Sequence, residues 1–442
     1  MLCCLSLNPK NNLRRRTFRA LAATLSLLLI CIVDRPAFCQ QAEKAEHSDQ
    51  ANAAASQLVQ RQSEQTQSRE ANDAQRDHKP LSEIARRASR AEIDEAIKKG
   101  VDFLLTTQNK NGSWGSPTKT KDLNIYAPVP GAHHAFGAGT TALCISALCE
   151  LEPQYPQVKV AIDLGQAWLI EHLPKLRRAT PDAIYNVWGH GYGIQALVRL
   201  HRRSQSDQLK QQLKVLIQTQ YERLSDYETV DGGWGYYDFD IGAKQPTASS
   251  TSFVNATILI AFYEAKQLGI EPPERLAKRA VAATLRQQKS DFTYIYGEYL
   301  KNSPMREINR PGGSLGRSQA CNLAMRLWGD EKITDAVVVE WLERLIRRHG
   351  WLDIGRKRPI PHEAWMQVAG YFFYYGHYYA AYCQEQLPES DRQRLAPHLA
   401  GLLVDRQETD GSWWDYPLYN YHPPYGTSFA LMSLLRYREP TP

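Results

Sequence analysis

Apolar positions fall along this chain in three patterns. The first is one largely apolar stretch of 14 residues, Ala20 to Val33, shorter than the ~20 needed to span a bilayer. It follows a basic cluster of Lys10, Arg14, Arg15, Arg16 and Arg19 and precedes Ala37-Phe38-Cys39, the order of an export signal with its cleavage site. The second pattern is an absence. From residue 40 to about 88 Gln, Ala, Glu, Ser and Asp dominate and aromatics are missing, so this segment is predicted to be a disordered linker. Ser89 and Glu92 have capping-box spacing, which sets the start of order at residue 89.

The third pattern is a repeat. Gly100-x-x-Phe103-Leu104-x-x-x-Gln108-x-x-x-Gly112-x-Trp114 is matched by Leu402-Leu403-x-x-x-Gln407-x-x-x-Gly411-x-Trp413 with the same internal spacing. A partial copy reads Val215-Leu216-x-x-x-Gln220, then a longer gap to Gly232-x-Trp234. Degenerate copies start near Gly165, Leu285 and Trp341, so that the shared leucine recurs at intervals of 47 to 69 residues. That length suits a helical hairpin with a long internal loop. Second helices are predicted to open near Thr140, Gly191, Thr251, Ser318, Glu363 and Thr427, most of them on small or hydroxyl residues able to act as N-caps. They continue apolar on most sides, as in Ala142 to Leu148, which fits burial. Six hairpins closing on themselves give an all-α, α/α toroid over residues 89–442, second helices inside and first helices outside, with no end repeat left to cap.

These residues carry a resemblance. The Gly/aromatic-Leu/Gln/Gly-x-Trp pattern resembles the QW repeat of squalene–hopene cyclases, which form α/α toroids together with other terpenoid cyclases and the protein prenyltransferases. The resemblance covers roughly residues 90 to 437 and concerns the scaffold, so it implies fold far more than activity. The catalytic motifs of these families are missing. The D-x-D-D acid of squalene cyclases has only Asp238-Phe239-Asp240 to match it. Gly312-Gly313-Ser314-Leu315-Gly316-Arg317 resembles the approach to a prenyltransferase zinc, but Leu323 and Met325 occupy the ligand positions. No G-C-G-E-Q thioester sequence occurs. Trp188-Gly189-His190-Gly191 resembles an element of lanthionine cyclases without their cysteine ligands.

Composition narrows the function classes. A mean hydropathy of −0.49 excludes a polytopic membrane protein, and a net charge of +6 gives no warrant for a nucleic-acid partner. Cys144, Cys149, Cys321 and Cys383 lie in apolar helical surroundings without a C-x-x-C pair, so buried thiols are expected rather than a disulfide framework. The export signal places the protein in a secreted or periplasmic compartment, with an uncleaved signal anchor as the alternative.

The candidate chemistry lies in the six loops inside the hairpins. They hold nearly half of the 23 tyrosines, a residue that offers apolar area and a polar handle together. Tyr236, Tyr237, Tyr296, His362, Trp414, Tyr419 and His422 are the expected ligand contacts there. Tyr371, Tyr374, Tyr378 and Tyr382 share one helical face, from which Tyr378 is expected to line a central funnel. Loop cations, with Arg317 foremost, point to an anionic ligand at converging helix N-termini. Asp238, Asp240, His190 and Arg317 are the candidate catalytic groups. His133, His134, His190, His362 and His422 lack metal-ligand spacing, so neither a metal nor another cofactor is expected. Three functions stay open: an isoprenoid-binding or catalytic toroid without the usual acid motif, a polysaccharide lyase or hydrolase using the Tyr/His/Arg rim on an anionic glycan, and a non-catalytic module binding the cell envelope. Oligomeric state is left undetermined by the sequence.

Overall fold

The computed structural model describes residues 79–125, 130–238, 245–246 and 249–438. The signal, most of the linker and Asp240 lie outside the described residues. All described residues belong to one compact unit within Gln75–Pro442. Among them no helix is long and apolar enough to cross a membrane.

Twelve main helices alternate between two rings. The outer ones are α1 (Arg90–Thr106), α3 (Lys159–His172), α5 (Asp207–Asp226), α7 (Glu274–Gln287), α9 (Asp335–Arg347) and α11 (Glu389–Val404). The inner ones are α2 (Gly131–Leu151), α4 (Asn186–Arg203), α6 (Ser252–Lys266), α8 (Leu315–Leu327), α10 (Phe372–Glu385) and α12 (His422–Tyr437). Each inner helix packs on the next, and α12 packs back on α2, so the inner ring is closed. Closure of the outer layer follows, since α1 docks on both α11 and α12. The expected six-hairpin toroid is the observed architecture.

One local device recurs at the hairpin junctions. The Gln108 amide donates to the carbonyl of Gly112 in its own turn (3.0 Å) and to Ala161 in the next outer helix (2.9 Å). Gln407 does the same with Gly411 and Ala96, both at 2.9 Å, and this second bond joins the last outer helix to the first. The following indoles, Trp114 and Trp413, each donate 2.8 Å back to the carbonyl ten residues earlier. Gly112 and Gly411 hold φ of +89° and +86°, a region a side chain disfavours. The tilt of the turn lays each glycine on the backbone of the next outer helix.

Two copies differ from their expected alignment. Trp234 bonds Leu224 (2.8 Å), so the third repeat runs Leu224–Glu228–Gly232–Trp234 with no long gap, and Gln220 is not its glutamine. Glu228 occupies the glutamine position and is buried. It accepts from Arg279 at 2.6 Å and Arg275 at 3.0 Å on the next outer helix, so an ion pair replaces the amide bridge. In the fourth copy Gln288, Phe292 (φ +59°) and Tyr294 stand at the Gln, Gly and Trp positions.

The hydroxyl residues predicted to cap the inner helices do something else. None of the six inner helices has a side-chain N-cap bond, and four of them begin three to nine residues before the expected N-terminus while α10 begins nine after it. Of these residues Ser318 and Thr427 accept instead from the backbone N–H of Tyr294 and Trp413, as do Thr141 and Asn255 from Trp114 and Trp234. Each therefore pins a junction turn to its inner helix. Three of the six outer helices do cap conventionally, through Ser89 with its capping box, Ser206 and Thr334. Order also begins before residue 89. Leu81, Ala85 and Ala88 are buried, and Ala88 N–H reaches Pro397 of α11, because their small apolar side chains fill a groove that the polar composition around them conceals.

The inner helices run parallel, and their C-terminal ends meet in an ionic network. Arg199 of α4 pairs with Glu150 of α2 and Glu264 of α6, both at 2.8 Å. Arg436 of α12 pairs with Glu150 (2.6 Å) and Glu385 of α10 (3.0 Å), its guanidinium 3.9 Å from the Tyr382 ring. Burial works against the Glu150 carboxylate, yet Arg436 and Arg199 hold its pKa down at about 2. Five inner helices are thus joined at one end of the ring.

Two stability outcomes follow. A Cβ on Gly100 of α1 would stand 2.8 Å from the Trp413 ring and 2.9 Å from Leu431, so Gly100→Ala should cost about 1–3 kcal/mol in urea unfolding. Gly350→Ala, whose Cβ meets nothing within 4 Å, should be neutral or mildly stabilising. Arg199→Ala takes the ion-pair partner from buried Glu264 and should cost about 3–5 kcal/mol by the same measurement.

Candidate functional site

At the opposite end, the N-termini of five inner helices and the loops before them enclose a cavity of about 340 Å³. Its wall is aromatic. Phe136 comes from α2, Trp188 and Tyr192 from α4, Phe253 from α6, Phe372 and Tyr375 from α10, Tyr425 and Phe429 from α12. Tyr185, Tyr236, Tyr237, Tyr371, Tyr416 and His362 add a belt of polar tips. Asn124 and Thr140 are the other polar lining residues. Among the described residues no Asp, Glu, Lys or Arg lines it.

The belt is internally hydrogen-bonded. Tyr236 and Tyr296 share a short hydroxyl contact, Tyr296 and Tyr371 lie 3.2 Å apart, and the Tyr371 hydroxyl is 3.1 Å from His362 Nε2. His362 Nδ1 is 2.8 Å from the Gln367 carbonyl. Burial pushes the His362 pKa down and those of Tyr236, Tyr296 and Tyr371 up, so neutral forms prevail. Tyr185 and Tyr237 form a second hydroxyl pair. Behind Tyr425 lies Asp415, fully buried, accepting from the Tyr425 hydroxyl (2.6 Å) and the Tyr374 N–H (2.9 Å). Burial outweighs these bonds and raises its pKa to about 6.

The expected ligand contacts separate into three places. Tyr236, Tyr237 and His362 line the chamber, with Tyr296 directly behind them. Tyr378 is fully buried below it against Phe429 and Tyr382, a packing position rather than part of the wall. Trp414, Tyr419 and His422 form a separate cluster at the start of α12. The Trp414 and His422 rings are 4.9 Å apart, His422 Nδ1 bonds the Tyr419 carbonyl at 2.6 Å, and Lys357 sits over Trp414. The four catalytic candidates are not brought together. Asp238 is buried in an ion pair with Arg178 at 2.8 Å, and Asp240 is outside the described residues. His190 is enclosed between α4 and α5, bonded to Gln220 at 2.8 Å, and burial lowers its pKa to about 4.

Arg317 is fully buried away from the chamber. Its donors are taken by the carbonyls of Tyr294, Gly313 and Ile308, because the Gly312-Gly313 turn folds back over α8. No described carboxylate pairs with it, and burial lowers its pKa to about 10. Other loop cations are likewise engaged: Lys175 with Glu171, Arg356 with Asp353, Lys357 with Glu408. None of these cations lines the cavity, so the expected anionic ligand meets no counter-charge among the described lining residues.

The fold is the α/α toroid. A novel alpha-amylase from Clostridium perfringens superposes with a TM-score of 0.50 at 14% identity, covering 77% of this chain and 98% of that one. A type II terpene cyclase from Scytonema gives 0.45 at 15% identity, covering 79% and 99%. An unsaturated glucuronyl hydrolase specific for heparin gives 0.49 at 11%, covering 79% and 97%. Likeness at this level concerns the scaffold alone. No family model and no curated protein matches the chain.

Inner-helix aromatics supply most of the wall, and sequence reading passed over them, Trp188, Phe253, Phe372 and Phe429 above all. Their signal was an aromatic near the start of five of the six inner helices, indistinguishable in sequence from core. Four thiols remain free, with Cys144, Cys321 and Cys383 buried.

The Asp415 shift has a sign. The group is ionised in both states above pH 6, where its burial is costly, and protonated in both below about 4. Stability therefore rises as pH falls through that window. Relative to Asp415→Asn, the wild-type chain should gain on the order of 2 kcal/mol between pH 7 and pH 4, read from urea unfolding of both proteins.

Proposed function

We propose that the chamber binds a neutral, largely apolar small molecule of isoprenoid size, in a protein exported by the signal at its N-terminus. The observation that carries this reading is the wall itself: aromatic rings from five inner helices, a hydroxyl belt at one level, and no charged side chain among the described lining residues. Ligand pockets of this kind gain affinity from apolar burial and orientation from a few polar groups. A diphosphate or a polyuronate would enter a low-dielectric cavity without a counter-charge, which is costly. Two-carboxylate glycoside hydrolysis needs an acid and a base across the scissile bond, and the lining residues described offer neither.

Thermal denaturation of the full-length chain tests the reading. Farnesol at about 100 times its Kd should stabilise by about 2.7 kcal/mol, visible as a clear rise in Tm. Farnesyl diphosphate should act more weakly, and Trp188→Ala should weaken both. A Tm raised only by oligogalacturonate would transfer the protein to the glycan-active reading.

A further inference from the structure

The structure assigns Tyr236, Tyr296, Tyr371 and His362 as a proton relay whose two ends open into the chamber, and we propose that it isomerises an enolisable apolar carbonyl compound by moving a proton between two carbons of the bound ligand. The proposal rests on the chamber being a site for a neutral apolar molecule and adds a reaction to it.

The direction of the relay is set by geometry. A carbonyl oxygen only accepts, so His362 Nδ1, 2.8 Å from Gln367 O, carries the imidazole proton. Nε2 is then the lone pair, and Tyr371, 3.1 Å away, donates to it. With that proton committed, the Tyr371 oxygen accepts from Tyr296 at 3.2 Å, and Tyr296 accepts from Tyr236. Three hydroxyls thus point head to tail at one acceptor. Tyr236 at the head and Tyr371 with His362 at the tail both line the cavity, while Tyr296 lies behind.

The backbone holding this tail is strained. His362, Met366 and Gln367 have φ of +66°, +59° and +53°, left-handed conformations that cost non-glycine residues of order 1–3 kcal/mol each and concentrate at functional sites. Two of the three are the imidazole and the carbonyl that orients it. The groups facing His362 are Tyr371, Tyr296 and the charges of Arg317 and Arg306. Arg317 stands 5.5 Å from the Tyr296 ring without a described carboxylate partner. Its charge favours negative charge appearing on the oxygens of the relay and the ligand, and it keeps His362 in the neutral, accepting form.

The step balances without a cofactor. The ligand's α-carbon gives its proton to the Tyr236 oxygen as Tyr236, Tyr296 and Tyr371 each pass their own proton onward, the last reaching His362 Nε2. The C–H electron pair becomes the enolate C=C bond, with charge on the ligand oxygen. Tyr371 then gives its proton to a different carbon of the conjugated enolate and is refilled from His362. Each hydroxyl and the imidazole end as they began, and the ligand has exchanged one C–H position for another. Because phenolates are disfavoured here, the hydroxyl transfers are concerted.

A β,γ-unsaturated isoprenoid methyl ketone, the isomer of geranylacetone with its double bond one carbon nearer the carbonyl, is the probe, because its enolate is conjugated and can take the proton at the γ-carbon. The full-length chain is incubated with it in D2O at pH 7, and deuterium at the α- and γ-carbons is read by mass spectrometry beside a Tm measurement with the same ketone. The wild-type chain should raise Tm and speed exchange about 100-fold over buffer. Tyr371→Phe and His362→Gln should keep the Tm rise and lose the exchange, and Val160→Ser on the outer surface should change neither. A Tm rise with exchange at the buffer rate, or exchange untouched by both substitutions, overturns the relay while leaving the binding reading intact. No Tm rise overturns the ligand class and the proposal with it. Histidine 15N spectra of the wild-type chain supply a check independent of the variants: His362 should carry its proton on Nδ1, and a proton on Nε2 would break the relay.

Discussion

The closed ring depends on a contact one residue wide. At the end of three outer helices a side chain reaches past its own turn to the backbone or side chains of the next outer helix, and this fixes how those hairpins meet. Gln108 and Gln407 do this with an amide bound to Ala161 and Ala96, and Glu228 does it as a carboxylate clamped by Arg275 and Arg279. The chemistry differs while the reach is the same. The turn glycine, in a conformation open to few other residues, brings the two outer helices close enough for that reach. Gln407 does this at the point of closure, where its bond to Ala96 joins the last outer helix to the first beside the packing of α12 on α2.

Closure gives the ring two unlike ends. Six parallel inner helices place their C-termini together, where backbone carbonyls favour cations, and Arg199 and Arg436 sit there among Glu150, Glu264 and Glu385. The arginines answer both the helix ends and the acids. At the N-terminal end the same ring encloses a chamber, and aromatic side chains from the first turns fill its wall. Polarity enters only through tyrosine tips and His362, groups that hydrogen-bond without carrying charge. The network joining five inner helices therefore lies at the end away from the cavity.

Charge count and charge availability diverge in this protein. The loops are rich in Lys and Arg, yet Arg178, Arg356 and Lys357 are held by carboxylates, and Arg317 by carbonyls. Arg317 is the unusual member, a buried cation solvated by backbone alone. Its neighbourhood is the strained loop and the tyrosine belt, so the most costly features of the fold gather on one side of the chamber. Asp415 adds a raised carboxyl behind Tyr425 on the same wall. Strain and perturbed groups found together mark functional sites more often than packing does.

The sequence alone determined the repeat, and through it the toroid, because the reach of a glutamine and the bend of a glycine are local properties recorded at fixed spacing. It also located the tyrosine-rich loops and three of the chamber residues, Tyr236, Tyr237 and His362. It misread the third repeat because Glu228 performs an amide's task with a different group, which spacing arithmetic based on glutamine cannot recognise. Tertiary structure alone decided what those loops do. Arg178 meets Asp238 across 60 residues, Lys357 meets Glu408 across 51, and Tyr236 meets Tyr296 across 60. Whether a cation is spent, an acid buried or a hydroxyl joined to a relay depends on which loop folds against which, and closure of the ring sets that.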